Sequence, residues 1–251
     1  MSAEKTRALI LKTLPYSETS LIMHLFTEEH GLVHGIAKGV RKQKSRQDFL
    51  ERGLLVELIV YLKPHRELHT LGSVNVLEFF PAIRTNLVKS TLRDAAFEVV
   101  LSSITETDAH PGLFTFFEKF LRHLHRAAEE EVNPCALWLF YHRFAQHMGF
   151  GLDLRRCISC GAVITGDANL SVTRGGLACD ACCGKPHDDF SVPSPVLSYL
   201  AGGNPKPPVL RRKLPVKTRK RVTRLLADYC RYHFDIQKEY KALVFLDEMT
   251  V

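Results

Sequence analysis

The chain has 251 residues, which exceeds the common size of a single domain and favours two or three compact units. Hydrophobic residues make up 45% and charged residues 24% of the sequence, and these globular proportions exclude wholesale disorder. No apolar run approaches the roughly 18–20 residues that span a bilayer. No apolar segment follows the charged N-terminus as it would in a secretory signal. We therefore expect a cytoplasmic protein without membrane contact.

The formal net charge of +7 is concentrated in two stretches that contain no acidic residue, 30–47 and 190–227, and the rest of the chain is net negative. The first stretch carries Lys38, Arg41, Lys42, Lys44 and Arg46. The second carries Lys206, Arg211, Arg212, Lys213, Lys217, Arg219, Lys220, Arg221 and Arg224. Either run alone is compatible with a solvated face, but two runs in one chain favour an anionic partner.

The first 80 residues contain five strand candidates separated by turn signals. The candidates are 7–12, 20–27, 32–37, 54–62 and 68–79. The turn at 28–31 ends on Gly31, where a positive φ is expected. Five short strands in so few residues predict a small barrel, and the OB-fold is the five-stranded barrel that commonly binds oligonucleotides. A five-stranded SH3-like barrel is the alternative.

Helical periodicity replaces the strand pattern from Pro81 onwards, with apolar residues recurring every three or four positions at 92–104 and 113–124. Asn133 is a predicted N-cap with Pro134 after it, and Gly149 is a predicted left-handed C-terminal residue. Pro215 begins a helix with Val222, Leu225, Leu226 and Tyr229 on one face. The predicted class is multidomain α+β, divided into an OB-fold barrel (1–80), a helical bundle (81–152), a cysteine-rich insertion (153–188) and C-terminal helices packing on the bundle (189–251).

Two C-x-x-C pairs are the strongest motif in the sequence: Cys157 with Cys160, and Cys179 with Cys182. Eighteen residues separate the pairs, which is a zinc-ribbon spacing, because each tight turn presents two thiolates to one metal ion. Cys183 is an alternative to Cys182, although the two-residue spacing favours Cys182. The odd total of seven cysteines and the missing secretory signal argue against a disulfide scaffold.

The residues around the two pairs fit the same interpretation. Gly161 allows the backbone to bend after the first pair, and 173–176 forms a predicted hairpin turn between the pairs. A site closed by four thiolates has no open coordination position, so the predicted zinc ion is structural.

The basic residues of 38–46 lie between the third and fourth strand candidates. An exposed cationic loop beside a barrel groove is expected to contact phosphates without reading bases. Catalytic motifs are absent: the sequence has no phosphate-binding P-loop, no dinucleotide fingerprint, no H-E-x-x-H and no G-x-S-x-G. We therefore expect a binding protein with no catalytic residues.

Several segments resemble the RecO family of bacterial DNA repair and recombination mediators. The matching segments are Tyr16-Ser17-Glu18-Thr19-Ser20, the stretches 26–31 and 37–45, the two cysteine pairs, and 226–233. The sequence departs from the family pattern at Lys241-Ala242, where Lys-Ser is expected. It also departs at Leu50-Glu51-Arg52, where a proline is more usual.

The resemblance implies a protein that binds single- and double-stranded DNA, anneals complementary strands and works with the ring-forming partner RecR at the nucleoid. It also implies engagement of the acidic tail of single-strand binding protein and help in loading the recombinase RecA. The predicted surface for that tail, or for a second DNA contact, consists of Arg211, Arg212, Lys213, Lys217, Arg219, Lys220, Arg221 and Arg224. A zinc-ribbon OB-fold RNA-binding or transcription factor is the alternative function.

Overall fold

The computed structural model describes residues 2–41, 50–63, 65–104, 108–183, 189–203 and 206–249. The chain divides into two compact units. One consists of Met1–Asn86 and Val100–Arg126, and the other of Leu87–Val99 and Ala127–Val251. Among the described residues, no helix combines the length and the apolarity needed to cross a membrane.

Five strands form a closed barrel in the first unit: β1 (Ser2–Pro15), β2 (Leu21–Thr27), β3 (Gly31–Ala37), β4 (Leu55–Leu62) and β5 (Leu68–Glu78). Their order around the barrel is β1-β2-β3-β5-β4, with β3 and β5 parallel and the other neighbours antiparallel. The predicted OB-like barrel is therefore confirmed. Gly31 has the expected positive φ, +61°, at the β2–β3 turn.

Strand β1, with 14 residues, is more than twice as long as its apolar run predicts. Its first half, from Ser2, pairs with β4, and its second half, ending at Pro15, pairs with β2, so this strand closes the barrel. The first half is polar and has no apolar alternation, which is why the sequence pattern missed it. Lys5 forms an ion pair with Glu57 on β4, with 2.9 Å between Nζ and Oε1.

Alternate residues of the strands fill the barrel. The interior includes Ala8, Ile10, Met23, Leu25, Val33, Val56, Leu58 and Val60, all of them buried. The side chains between them point outwards, because successive residues of a strand face opposite sides of the sheet.

Three helices follow the barrel: α1 (Pro81–Thr85), α2 (Leu87–Ser103) and α3 (Pro111–Arg126). Helix α3 lies in the same compact unit as the barrel and covers part of its outer face. The ring of Phe26 on β2 lies 5.8 Å from that of Phe114 and 6.1 Å from that of Phe117. The buried carboxylate of Glu118 pairs with the guanidinium groups of Arg7 and Arg122.

The second unit begins, after part of α2, with a short 3-10 helix (Glu129–Glu131). It then contains α4 (Ala136–His147), a small sheet of β6 (Ala168–Ser171), β7 (Gly176–Ala178) and β8 (Asp189–Val192), then α5 (Ser194–Leu200), α6 (Pro207–Lys213), α7 (Val216–His233) and α8 (Lys241–Glu248). Helices α4 and α7 share a core, in which the indole Nε1 of Trp138 donates to Thr223 Oγ1 at 2.8 Å.

The helix ends predicted from the sequence are found in the structure, except that one helix begins later than predicted. Regular helix begins at Ala136 with Cys135 at the N-cap position, so the prediction of Asn133 as N-cap is wrong by two residues. Asn133 Oδ1 instead accepts from the Cys135 amide at 3.0 Å, in a turn that precedes the helix. Gly149 has a φ of +87°, as predicted. Helix α7 begins directly after Pro215.

Candidate metal centre and nucleic-acid surfaces

The structure brings together the four cysteines of the two C-x-x-C pairs. The sulfurs of Cys157, Cys160, Cys179 and Cys182 all lie within 4.8 Å of one another, and those of Cys160 and Cys179 are 3.8 Å apart. Zinc–sulfur bonds of about 2.3 Å in a tetrahedron place the sulfurs about 3.8 Å apart. The number, chemistry and spacing of these donors therefore fit one metal ion.

Tight turns set the positions of both pairs. The Gly161 amide donates to the Cys157 carbonyl at 2.9 Å, and Gly161 has a φ of +73°, as the bend after the first pair requires. The Cys182 amide donates to the Cys179 carbonyl, also at 2.9 Å. The β6–β7 hairpin lies between the pairs, with the left-handed Gly175 in its turn.

Backbone donors favour the thiolate form of Cys157. The amides of Cys179 and Ser159 both lie 3.4 Å from its sulfur. Together with the Cys160 amide, these donors lower the pKa of the Cys157 thiol to about 5. The thiolate is the form of cysteine that binds metals. By contrast, burial raises the pKa of the Cys135 thiol to about 12, as expected of an inert core cysteine.

Cys183 does not belong to the cluster of four cysteine sulfurs. Its amide donates to the Cys179 carbonyl at 2.9 Å, but the four sulfurs that cluster include that of Cys182 and not that of Cys183. The geometry thus agrees with the choice that the two-residue spacing favours.

The basic loop begins beside the β1–β2 turn. Arg41 Nη1 donates to the Ser17 carbonyl at 2.5 Å, and the Arg41 amide donates to the Thr19 carbonyl at 3.0 Å. These contacts attach the start of the loop to the turn. Lys38 is exposed. The other three predicted DNA-binding residues, Lys42, Lys44 and Arg46, lie outside the described residues.

The predicted second basic surface lies on α6 and the first half of α7. Lys217, Arg221 and Arg224 are exposed along one side of α7, as their helical spacing predicts, and Arg212 and Lys213 are exposed on α6.

Two other members of that set have different surroundings. Arg219 is only 7% exposed, because it lies on the inward face of α7 with Val222 and Leu226. Arg211 is half-buried, and its Nη1 donates to the Glu130 carbonyl at 3.4 Å.

A groove between α7 and α8 combines this charge with apolar surface. Its lining includes Val216, Leu243 and Leu246 beside Lys220 and Arg224. An apolar floor with a cationic rim suits an acidic segment that carries an apolar side chain.

One residue of α8 already contacts the cations of the groove. The carboxylate of Asp247 pairs with the guanidinium of Arg224, and the Lys220 ammonium donates to the Asp247 carbonyl. Asp247 was not predicted from the sequence, because it lies more than twenty positions from both partners in a helix with an irregular apolar pattern.

Comparison with known proteins agrees with this architecture. The family model described as Recombination protein O N terminal matches residues 1–80, and the model described as Recombination protein O C terminal matches residues 84–241. A DNA repair protein RecO of Dehalococcoides mccartyi is 29% identical, over 98% of this chain and 96% of the relative.

Two further relatives are also named DNA repair protein RecO. The DNA repair protein RecO of Salinibacter ruber is 29% identical, over 93% of this chain and 89% of the relative. That of Syntrophobacter fumaroxidans is 32% identical, over 71% of both chains. With both family models matched in order along most of its length, the chain belongs to the RecO family of DNA repair proteins.

Proposed function

We propose that this chain is a non-enzymatic recombination mediator of the bacterial cytoplasm that works at the nucleoid. It binds single- and double-stranded DNA and anneals complementary strands. With RecR, it helps load RecA onto DNA coated with single-strand binding protein. The observation that carries the proposal is a closed OB-like barrel with a basic loop attached to its β1–β2 turn, in a chain of a DNA repair family.

The barrel and its loop are the proposed principal DNA site. Lys38 is exposed at the start of the loop, and Lys42, Lys44 and Arg46 follow it in the sequence. A row of cations contacts phosphates of single and double strands alike, because phosphates carry no sequence information.

The cysteine cluster is the proposed site of one structural Zn²⁺. Four thiolates satisfy the tetrahedral preference of zinc and leave no position for water or substrate. Cys157, Cys160, Cys179 and Cys182 would thus hold the two turns and the hairpin together without taking part in a reaction.

Annealing is the direct test of this function. The protein should accelerate pairing of two complementary oligonucleotides that are coated with single-strand binding protein, and it should bind single-stranded DNA in preference to RNA of the same sequence. Equal or stronger binding of RNA, without annealing of the coated strands, would instead favour the RNA-binding or transcription-factor function.

The groove between α7 and α8 is the proposed docking site for the acidic tail of single-strand binding protein. The family resemblance suggests the partner, and the groove offers the matching chemistry, because its cations flank an apolar floor. The alternative ligand of the same surface is duplex DNA. Substitutions on this surface distinguish the two ligands, because they lower the affinity for whichever one binds there.

Lys217, Arg221 and Arg224 are the exposed cations along α7, and Arg224 lines the groove itself. Replacing all three by alanine should weaken binding of a labelled acidic tail peptide about tenfold or more, since charge pairs around an apolar site contribute to partner recognition. Fluorescence anisotropy with the peptide and with duplex DNA measures the two affinities in parallel. If peptide binding is unchanged while duplex binding falls, the surface is a DNA site and the docking proposal is wrong.

Asp247 competes with an acidic peptide for Arg224, so removing its charge should tighten peptide binding. Asp247→Asn frees Arg224 from its ion pair, and we expect the acidic peptide to bind about two- to fivefold more tightly, as the loss of a weak exposed pair permits. Glu248→Gln is the matched control, because it makes the same charge change at the next, exposed residue. Equal gains in both variants would show that net charge, and not the Asp247 contact, limits binding.

A further inference from the structure

A row of basic side chains crosses the outer face of three barrel strands. Lys12 on β1 pairs in register with His24 on β2, and His24 pairs with His34 on β3. The two imidazole rings are 4.2 Å apart between centroids. Lys12 is exposed, and both histidines are partly exposed. The residues that flank His24 along β2, Met23 and Leu25, point into the barrel, so the histidine points outwards.

An apolar row lies next to this basic row on the same face. Leu14 on β1 is in register with Ile22 on β2, and Ile22 is in register with Ile36 on β3. Leu14 is 38% exposed, and the two isoleucines are partly exposed. On the other side of His24, the face is covered where Phe26 meets α3. The open part of the face thus presents one basic and one apolar row side by side.

Among the described residues, the titratable groups that shift the pKa of His24 are Lys12 and His34, and both are basic. Burial, and then His34 and Lys12 on the two neighbouring strands, together lower the pKa of His24 to about 4. The β5 residue in register with His34 is Leu68, which carries no charge. Basic groups that lie this close together suit an anion, because the anion offsets the repulsion that protonation of the imidazole would create.

We propose that single-stranded DNA crosses this face, with a backbone phosphate between Lys12 and the His24–His34 pair and with sugar and base surface against the row of Leu14, Ile22 and Ile36. This inference rests on the proposed DNA binding and assigns to it a contact site separate from the basic loop. Single-strand binding surfaces combine a cationic track with apolar or aromatic platforms, and the two rows supply one of each.

His24 makes this contact dependent on pH. In the free protein, His24 is neutral near pH 7, since its pKa is about 4. A phosphate next to the ring favours the imidazolium form and raises that pKa in the complex. Binding therefore takes up a proton, and by linkage the affinity for DNA rises as the pH falls between the bound and the free pKa.

The test compares binding of a labelled oligothymidylate at pH 7.5 and pH 5.5. The wild type should gain affinity about fivefold or more at pH 5.5, and its salt dependence should steepen by about 0.7, the contribution of one further phosphate contact on a single strand. The double variant His24→Gln, His34→Gln should lose most of this gain, with its fold checked by circular dichroism. His123→Gln, an exposed histidine on α3, is the control and should keep the gain.

The outcomes separate this site from the proposed function. If the double variant binds as tightly as the wild type and gains the same factor at pH 5.5, the histidine row is not a DNA contact, although DNA binding itself stands. If the wild type does not bind the oligonucleotide at either pH, both the site and the proposed DNA binding are wrong. Lys12→Ala is a second test at pH 7.5, where His24 is neutral, and it should weaken binding by removing the cation of the row.

Discussion

Cys157→Ala is expected to abolish zinc binding and to lower the thermal stability of the second compact unit sharply. Structural zinc contributes free energy on the order of 10 kcal/mol in small peptides, and three remaining thiolates do not complete a tetrahedral site. Cys157 is also the residue whose sulfur accepts the amides of Ser159 and Cys179, so its loss removes two contacts of the turns. Metal analysis of protein purified without chelator and a thermal unfolding scan measure the two effects.

Cys183→Ala is the matched control for this variant, because Cys183 is a neighbouring thiol outside the cluster of four sulfurs. It should retain one zinc per chain and unfold near the wild-type temperature. Wild-type protein without zinc, or zinc lost on replacing Cys183 and retained on replacing Cys182, would contradict the proposed ligand set.

The cysteine-rich segment is also tied to α7, so the effects of zinc loss should extend beyond the turns. His233 Nε2 lies 3.1 Å from the carbonyl of Val172, which follows β6 in that segment, and donates to it. Just before the segment, the Tyr229 hydroxyl donates to the Phe150 carbonyl at 3.0 Å. We therefore expect zinc loss to weaken binding at the α7–α8 groove, while DNA binding by the folded barrel is affected only indirectly.

The features that the sequence predicted are those with local signals. The five strands follow from apolar runs separated by turns, and the metal-ready group follows from two short C-x-x-C turns. A positive φ was predicted for Gly31 and Gly149 and a backbone bend for Gly161, and all three glycines have a positive φ. Such features depend on a few residues that are neighbours in the chain, so a single sequence is enough to predict them.

The features that it did not predict depend on residues far apart in the chain. Helix α3 joins the compact unit of the barrel through Glu118, whose partner Arg7 is 111 positions away. In the sequence Arg219 is one more cation of a basic run. In the structure it is buried, because it lies on the face of α7 that packs against α4. The contact of Asp247 with Arg224 likewise requires knowing that α8 folds back along α7.

Replacing Lys38, Arg41 and Lys42 together by alanine should flatten the salt dependence of DNA binding by about two to three units in the logarithmic plot. Each neutralised phosphate contributes about 0.7 on a single strand and about 0.9 on a duplex. The expected loss is the same for every DNA sequence, because the contacts are to the backbone. Titrations of a labelled oligonucleotide at four or five salt concentrations give the slope.

Single variants distinguish residues that contact phosphate from a residue that also holds the loop in place. Lys38 is exposed and makes no hydrogen bond or ion pair to a described residue, so Lys38→Ala should remove one phosphate contact and nothing else. Arg41 attaches the loop to the Ser17 carbonyl, so Arg41→Ala should weaken binding by releasing the loop as well as by removing a charge. Lys119→Ala, at an exposed lysine on α3, changes the net charge equally and should leave the slope unchanged. A triple variant with the wild-type slope, or a control that flattens it as much, would show that the basic loop is not the site of phosphate contact.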